Sequence, residues 1–60
     1  MTESYIIEVG STAAGIVMRV AGGYRFFAAS QRFHRLEGRL FRNARAAERE
    51  AREVYGLDAS

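Results

Sequence analysis

The sequence predicts an α+β fold: a three-stranded antiparallel sheet, then a short irregular segment, then one C-terminal helix (βββα). Three observations carry that prediction. Tyr5, Ile7 and Val9 alternate with Ile6 and Glu8, the period of a strand with one buried face. Gly22-Gly23 separates two runs rich in β-branched and aromatic residues, as in a hairpin. From Ala44 to Tyr55 the apolar residues return every three or four positions, the period of a helix.

The elements follow in order. After the first strand, Gly10 to Gly15 (Gly-Ser-Thr-Ala-Ala-Gly) predicts a turn flanked by glycines. Ile16 to Ala21 is the second strand. Gly22-Gly23 supplies the positive φ angles of a tight turn, and Tyr24 to Ala29 is the third strand. Two registers compete across this hairpin. A two-residue loop pairs Arg19 with Phe26 and Met18 with Phe27. A three-residue loop that includes Ala21 pairs Met18 with Phe26 and Arg19 with Arg25. The second is preferred because it gathers Ile16, Met18, Val20, Tyr24, Phe26 and Ala28 on one apolar face, although it sets like charges opposite each other. Either register leaves one phenylalanine on the second face with Val17 and arginine beside it. Val17 and Phe27 are therefore the expected interface residues.

Residues 44 to 55 form the predicted helix, with Asn43 as N-cap and Gly56 as the residue that ends it. Glu48 with Arg52, and Arg49 with Glu53, are spaced for i,i+4 pairs. Ser30 to Arg42 admits two readings. Phe33, Leu36 and Leu40 continue the helical spacing, which allows one long helix from Gln31 to Tyr55 through Gly38. The alternative, which Asn43 favours, has Ser30 cap a single turn over Gln31 to Glu37, ended by Gly38, with Arg39 to Arg42 extended.

Sixty residues make one small domain, spanning 1–60. Such a chain buries only about 60 % of the surface that it exposes when unfolded. It has no cysteine, so disulfides and thiolate metal sites are excluded, and His34 alone cannot hold zinc. Association is the remaining route to more buried area, and a homodimer is its simplest closed form. No cofactor or small-molecule substrate is expected. No apolar run is long enough to span a bilayer, and Met1-Thr2-Glu3-Ser4 lacks the basic start of a signal peptide, so the expected location is cytoplasmic.

Gly23-Tyr-Arg-Phe-Phe-Ala-Ala29, Phe33-His-Arg-Leu-Glu-Gly38 and Phe41-Arg-Asn-Ala-Arg-Ala-Ala-Glu48 resemble segments of short uncharacterised proteins from GC-rich bacteria. The resemblance covers roughly half the chain; it implies the broken central segment and brings no activity. The predicted architecture is also similar to sheet-plus-helix domains such as the arm-type DNA-binding domains of phage integrases. That likeness concerns the fold and not the function.

Charge is the strongest functional signal. All nine basic residues are arginine, and seven lie between Arg19 and Arg45 with Glu37 as the sole acid among them. A GC-rich genome accounts for arginine over lysine but not for the clustering. Arg19, Arg25, Arg32, Arg35, Arg39 and Arg42 are the candidate contacts to nucleic acid, whose binding would weaken with salt. The acids of the helix, Glu48, Glu50 and Glu53, are close enough in a small fold to neutralise part of this charge. His34 has no second histidine or cysteine to work with, no serine lies in a nucleophile motif, and the glycines form no phosphate loop, so no enzyme is expected. The sequence thus favours a non-enzymatic interaction module that self-associates, with nucleic-acid binding as the alternative.

Overall fold

The computed structural model describes residues 3–59. They form β1 (Ser4–Val9), β2 (Thr12–Val20), β3 (Gly23–Ala28), a 3-10 helix (Gln31–Leu36), β4 (Leu40–Phe41) and α1 (Ala44–Ala59). The sheet is antiparallel in the order β1-β2-β3-β4, and the two helical segments cover one of its faces. The α+β architecture is as predicted, with a fourth strand added to the expected three.

The first hairpin is tighter than the sequence suggested. Gly10, at φ 63, lets the chain reverse over Gly10-Ser11, so that Val9 faces Thr12. Thr12 to Gly15 therefore belongs to β2 and not to a turn. A bulge hid this: Ala14 has no partner between the pairs Glu8–Ala13 and Ile7–Gly15, so period-two alternation breaks there. Gly15 is needed for close approach. A Cβ on it would overlap the Phe27 carbonyl oxygen and press on the Phe26 ring at 3.0 Å.

The second hairpin adopts neither expected register. Val20 faces Gly23, Arg19 faces Tyr24, Met18 faces Arg25, Val17 faces Phe26 and Ile16 faces Phe27. The loop is Ala21-Gly22, with Gly22 at φ 95, while Gly23 has joined the strand. A Cβ on Gly23 would lie 2.6 Å from the Phe41 carbonyl oxygen, so only glycine lets β4 close against β3 there. A one-residue slip exchanges faces. Val17 and Phe26 consequently point toward the helix and are fully buried, whereas Ile16, Met18 and Val20 point away from it. Val17, expected at an interface, is thus a core residue with no surface to offer.

The core joins Ile7, Val9, Ala14, Val17, Phe26 and Phe41 of the sheet to Phe33, Leu36, Ala47, Ala51 and Val54. Of these, Phe26, Phe33, Leu36 and Val17 are the largest fully buried side chains. Each such burial is worth about 1.5–3 kcal/mol. Ala47 and Ala51, both at 0 % exposure, let α1 lie close against the sheet.

The broken reading of residues 30–43 holds. Phe33 and Leu36, three apart, both point to the core from the 3-10 segment, which is kinked at Phe33 (φ -105, ψ 16). Ser30 occupies the N-cap position without a side-chain capping bond. Glu37 leaves the helix at ψ 127, and Gly38 turns the chain at φ 79. The Gly38 N–H then donates to the Phe26 carbonyl at 2.9 Å and the Phe26 N–H to that of Arg39 at 2.9 Å, which seats β4 on β3. The Glu37 carboxylate accepts the Ala28 N–H at 2.8 Å, so the one acid of the basic centre holds the end of β3.

Asn43 caps α1 as predicted: its Oδ1 accepts the Ala46 N–H at 2.8 Å. Gly56 does not end the helix. It is not in the left-handed conformation, and α1 continues to Ala59. Leu57 and Ala59 are good helix formers, and the helix absorbs a glycine at a cost of about 1 kcal/mol. Among the described residues no helix is long and apolar enough to cross a membrane.

Candidate interaction surface

The register decides which side chains reach the surface. Across the sheet face away from α1, Ile6 stands opposite Ile16, and Ile16 opposite Phe27. The neighbouring row is Ser4, Met18, Arg25 and Leu40. Antiparallel sheets with one wet face normally set polar residues there. Here Ile6 is 71 % exposed, Leu40 49 %, and Ile16 and Phe27 37 % each, in adjacent rows with no acidic side chain between them. At about 180–220 Å² per fully exposed residue, the four present roughly 350–430 Å² of surface, the size of the largest apolar patch on an ordinary monomer, which is often the functional one. Phe27 lies where the sequence predicted an exposed phenylalanine. Ile6, Ile16 and Leu40 were not foreseen in this role. Only the alternation of Leu40 and Phe41 after Gly38 hinted at the last of them.

The six candidate arginines do not come together. Arg25 points out beside Leu40 and Met18, whereas Arg19 faces Tyr24 on the opposite side of the sheet, which corrects the expectation that both share the second face. Arg19 donates to Glu3 at 3.3 Å, and its pKa is raised above the ordinary arginine value, first by that hydrogen bond and then by the Glu3 charge. Tyr24 also reaches Glu3 through its hydroxyl, at 3.4 Å. Arg39 lies over the Phe41 ring at 5.2 Å and pairs with Glu50 of the helix at 3.2 Å. Arg32 stacks over Tyr55 at 5.1 Å. Arg35 and Arg42 are exposed and make no ion pair among the described residues. Part of the basic charge is thus met by acids within the chain, as the acidic helix suggested.

The arginines of α1 form a second group, a ridge. Arg45, Arg49 and Arg52 follow Arg42 at steps of three, four and three, and all are exposed along α1. Arg52 pairs with Glu48 at 3.0 Å, the expected i,i+4 contact; the expected Arg49–Glu53 pair does not form. Glu48, Glu50 and Glu53 flank the ridge and match its three helical arginines in number. His34 is exposed on the 3-10 helix. Among the described residues no three of His, Cys, Asp and Glu come together. No family model, curated protein or solved structure matches the chain.

Proposed function

We propose that this protein is a small non-enzymatic interaction module that self-associates as a homodimer through the outer face of its sheet. The observation that carries the reading is the apolar surface formed by Ile6, Ile16, Phe27 and Leu40, with Met18 half-buried among them. Two such faces pack about 10 Å apart, side chains interdigitating, as in sandwiches of antiparallel sheets. Burying them gives a short chain the apolar area that its single helix, lined by alanine, does not supply.

Nucleic-acid binding through Arg19, Arg25, Arg32, Arg35, Arg39 and Arg42 is the weaker reading. Phosphate recognition asks for arginines on one surface, and these divide between the two sheet faces, the 3-10 helix and the residues on either side of β4. Base stacking asks for aromatic rings on an open sheet. Among the described residues Phe27 is the one aromatic residue on the outer face, beside Ile16 and Arg25.

Sedimentation equilibrium at tens of micromolar tests the proposal. The wild-type chain should sediment at twice its 6.7 kDa mass, and Phe27→Asp as a folded monomer. A wild-type protein of monomeric mass contradicts the proposal. Salt-sensitive binding of labelled DNA or RNA by that monomer would instead support the weaker reading.

A further inference from the structure

The sheet has two edges, and they differ. β4 is two residues long, whereas β1 offers six. The Arg19 N–H donates to the Glu3 carbonyl at 2.8 Å, which fixes the phase of the β1–β2 ladder. In an antiparallel pair the inward-bonded residues alternate. Tyr5 and Ile7 therefore bond toward β2, and the backbone groups of Ser4, Ile6 and Glu8 point out from the edge. Exposed edges are commonly guarded by lysine, proline or a bulge. β1 (Ser-Tyr-Ile-Ile-Glu-Val) carries a single charge, Glu8 near its end, and the bulged residue, Ala14, lies on β2.

Beside this edge runs a groove between β1 and α1, lined by residues 5–8 and Gly10 on the sheet side and by Ala44, Arg45, Glu48 and Arg52 of the helix. Arg52 is shared with Glu48, while Arg45 makes no ion pair among the described residues. On the other side of the edge stands Ile6, the most exposed of the large apolar side chains.

We infer that the β1 edge accepts an extended segment of a partner protein as a fifth strand, selecting one with acidic side chains toward the helix and apolar ones toward Ile6. Main-chain bonds to Ser4, Ile6 and Glu8 hold the segment, and its alternating side chains give the selectivity. Arg45 supplies the charge that the acidic residues meet. This surface shares Ile6 with the proposed dimer contact but not the backbone groups of the edge, so the Phe27→Asp monomer should bind the segment at least as well as the wild type does, and loss of the dimer leaves this inference standing.

The test is an NMR titration of the 15N-labelled protein with a synthetic peptide, Thr-Val-Glu-Val-Glu-Val-Thr. Its controls are the peptide with lysine for glutamate and the glutamate peptide N-methylated at alternate residues. Saturable shifts should centre on Ser4, Ile6 and Glu8. The lysine peptide should bind at least about tenfold more weakly, as for one lost charge-assisted contact. N-methylation should abolish binding, and Arg45→Glu should remove the preference for acid. Absence of binding at millimolar peptide, equal binding of the N-methylated peptide, or shifts centred on Ile16 and Phe27 would each overturn the inference. So would protection of the Ile6 amide that grows with the concentration of the Phe27→Asp chain alone, because the edge would then belong to a second copy.

Discussion

Alanine substitutions at Val17 and Ile16 test the face assignment on which the functional proposal rests. The two are neighbours in sequence and lie on opposite faces of β2. Val17 has no exposed surface, and it stands opposite Phe26, which is also fully buried. Val17→Ala removes two methyl groups, about 1.6 kcal/mol in transfer, and the cavity left behind brings the cost to about 2–2.5 kcal/mol. In a domain of this size 1 kcal/mol moves Tm by about 8 °C, so a fall of about 15–20 °C is expected. Ile16→Ala removes more atoms, but Ile16 is 37 % exposed and water can fill the space. Its cost in the monomer should stay near 1 kcal/mol, or about 8 °C. Thermal unfolding by circular dichroism, at concentrations low enough that Tm no longer depends on them, measures both. The smaller truncation should be the more damaging one. A larger loss for Ile16→Ala would refute the register, because it is the result that pairing Met18 with Phe26 demands.

Two further substitutions examine the helix. Gly56→Ala should raise stability by about 0.5–1 kcal/mol, since the position is helical and a Cβ there meets nothing within 4 Å. A lower Tm would show that Gly56 ends the helix after all. Asn43→Ala removes the acceptor of the Ala46 N–H and should cost about 1 kcal/mol in the same assay, with an unchanged Tm counting against the cap.

The elements that the sequence revealed are those governed by local chemistry. Alternation from Tyr5 to Val9, the cap at Asn43, and the break at Gly38 each rest on one or two residues whose preferences nothing else opposes. The hairpin register was not legible, and the reason is physical. Both faces of β2 and β3 carry apolar residues, so alternation has two nearly equal solutions. The choice falls to Gly23, whose missing side chain admits the Phe41 carbonyl of β4. That strand is two residues long and leaves no periodic signal. The bulge at Ala14 and the helical Gly56 are similar cases, in which a glycine or alanine reads as a turn until its partners are known.

The candidate surface inherited the same ambiguity. Phe27 was identified because a phenylalanine remains on the outer face in every register considered. Val17 was misplaced with it, since a slip of one residue carries valine from one face to the other. The arginines were legible as a cluster in sequence but not in space: alternation in the strands sends Arg19 and Arg25 to opposite faces, and Arg39 turns to the helix.

The central claim is that two copies meet through the outer sheet face. Isotope-filtered NOE spectroscopy on an equal mixture of 13C-labelled and unlabelled chains measures this contact directly. Contacts between subunits should join Ile6, Ile16, Met18, Phe27 and Leu40. A dimer whose intersubunit contacts arise from α1 instead, or a mixture that gives none, would contradict the claim.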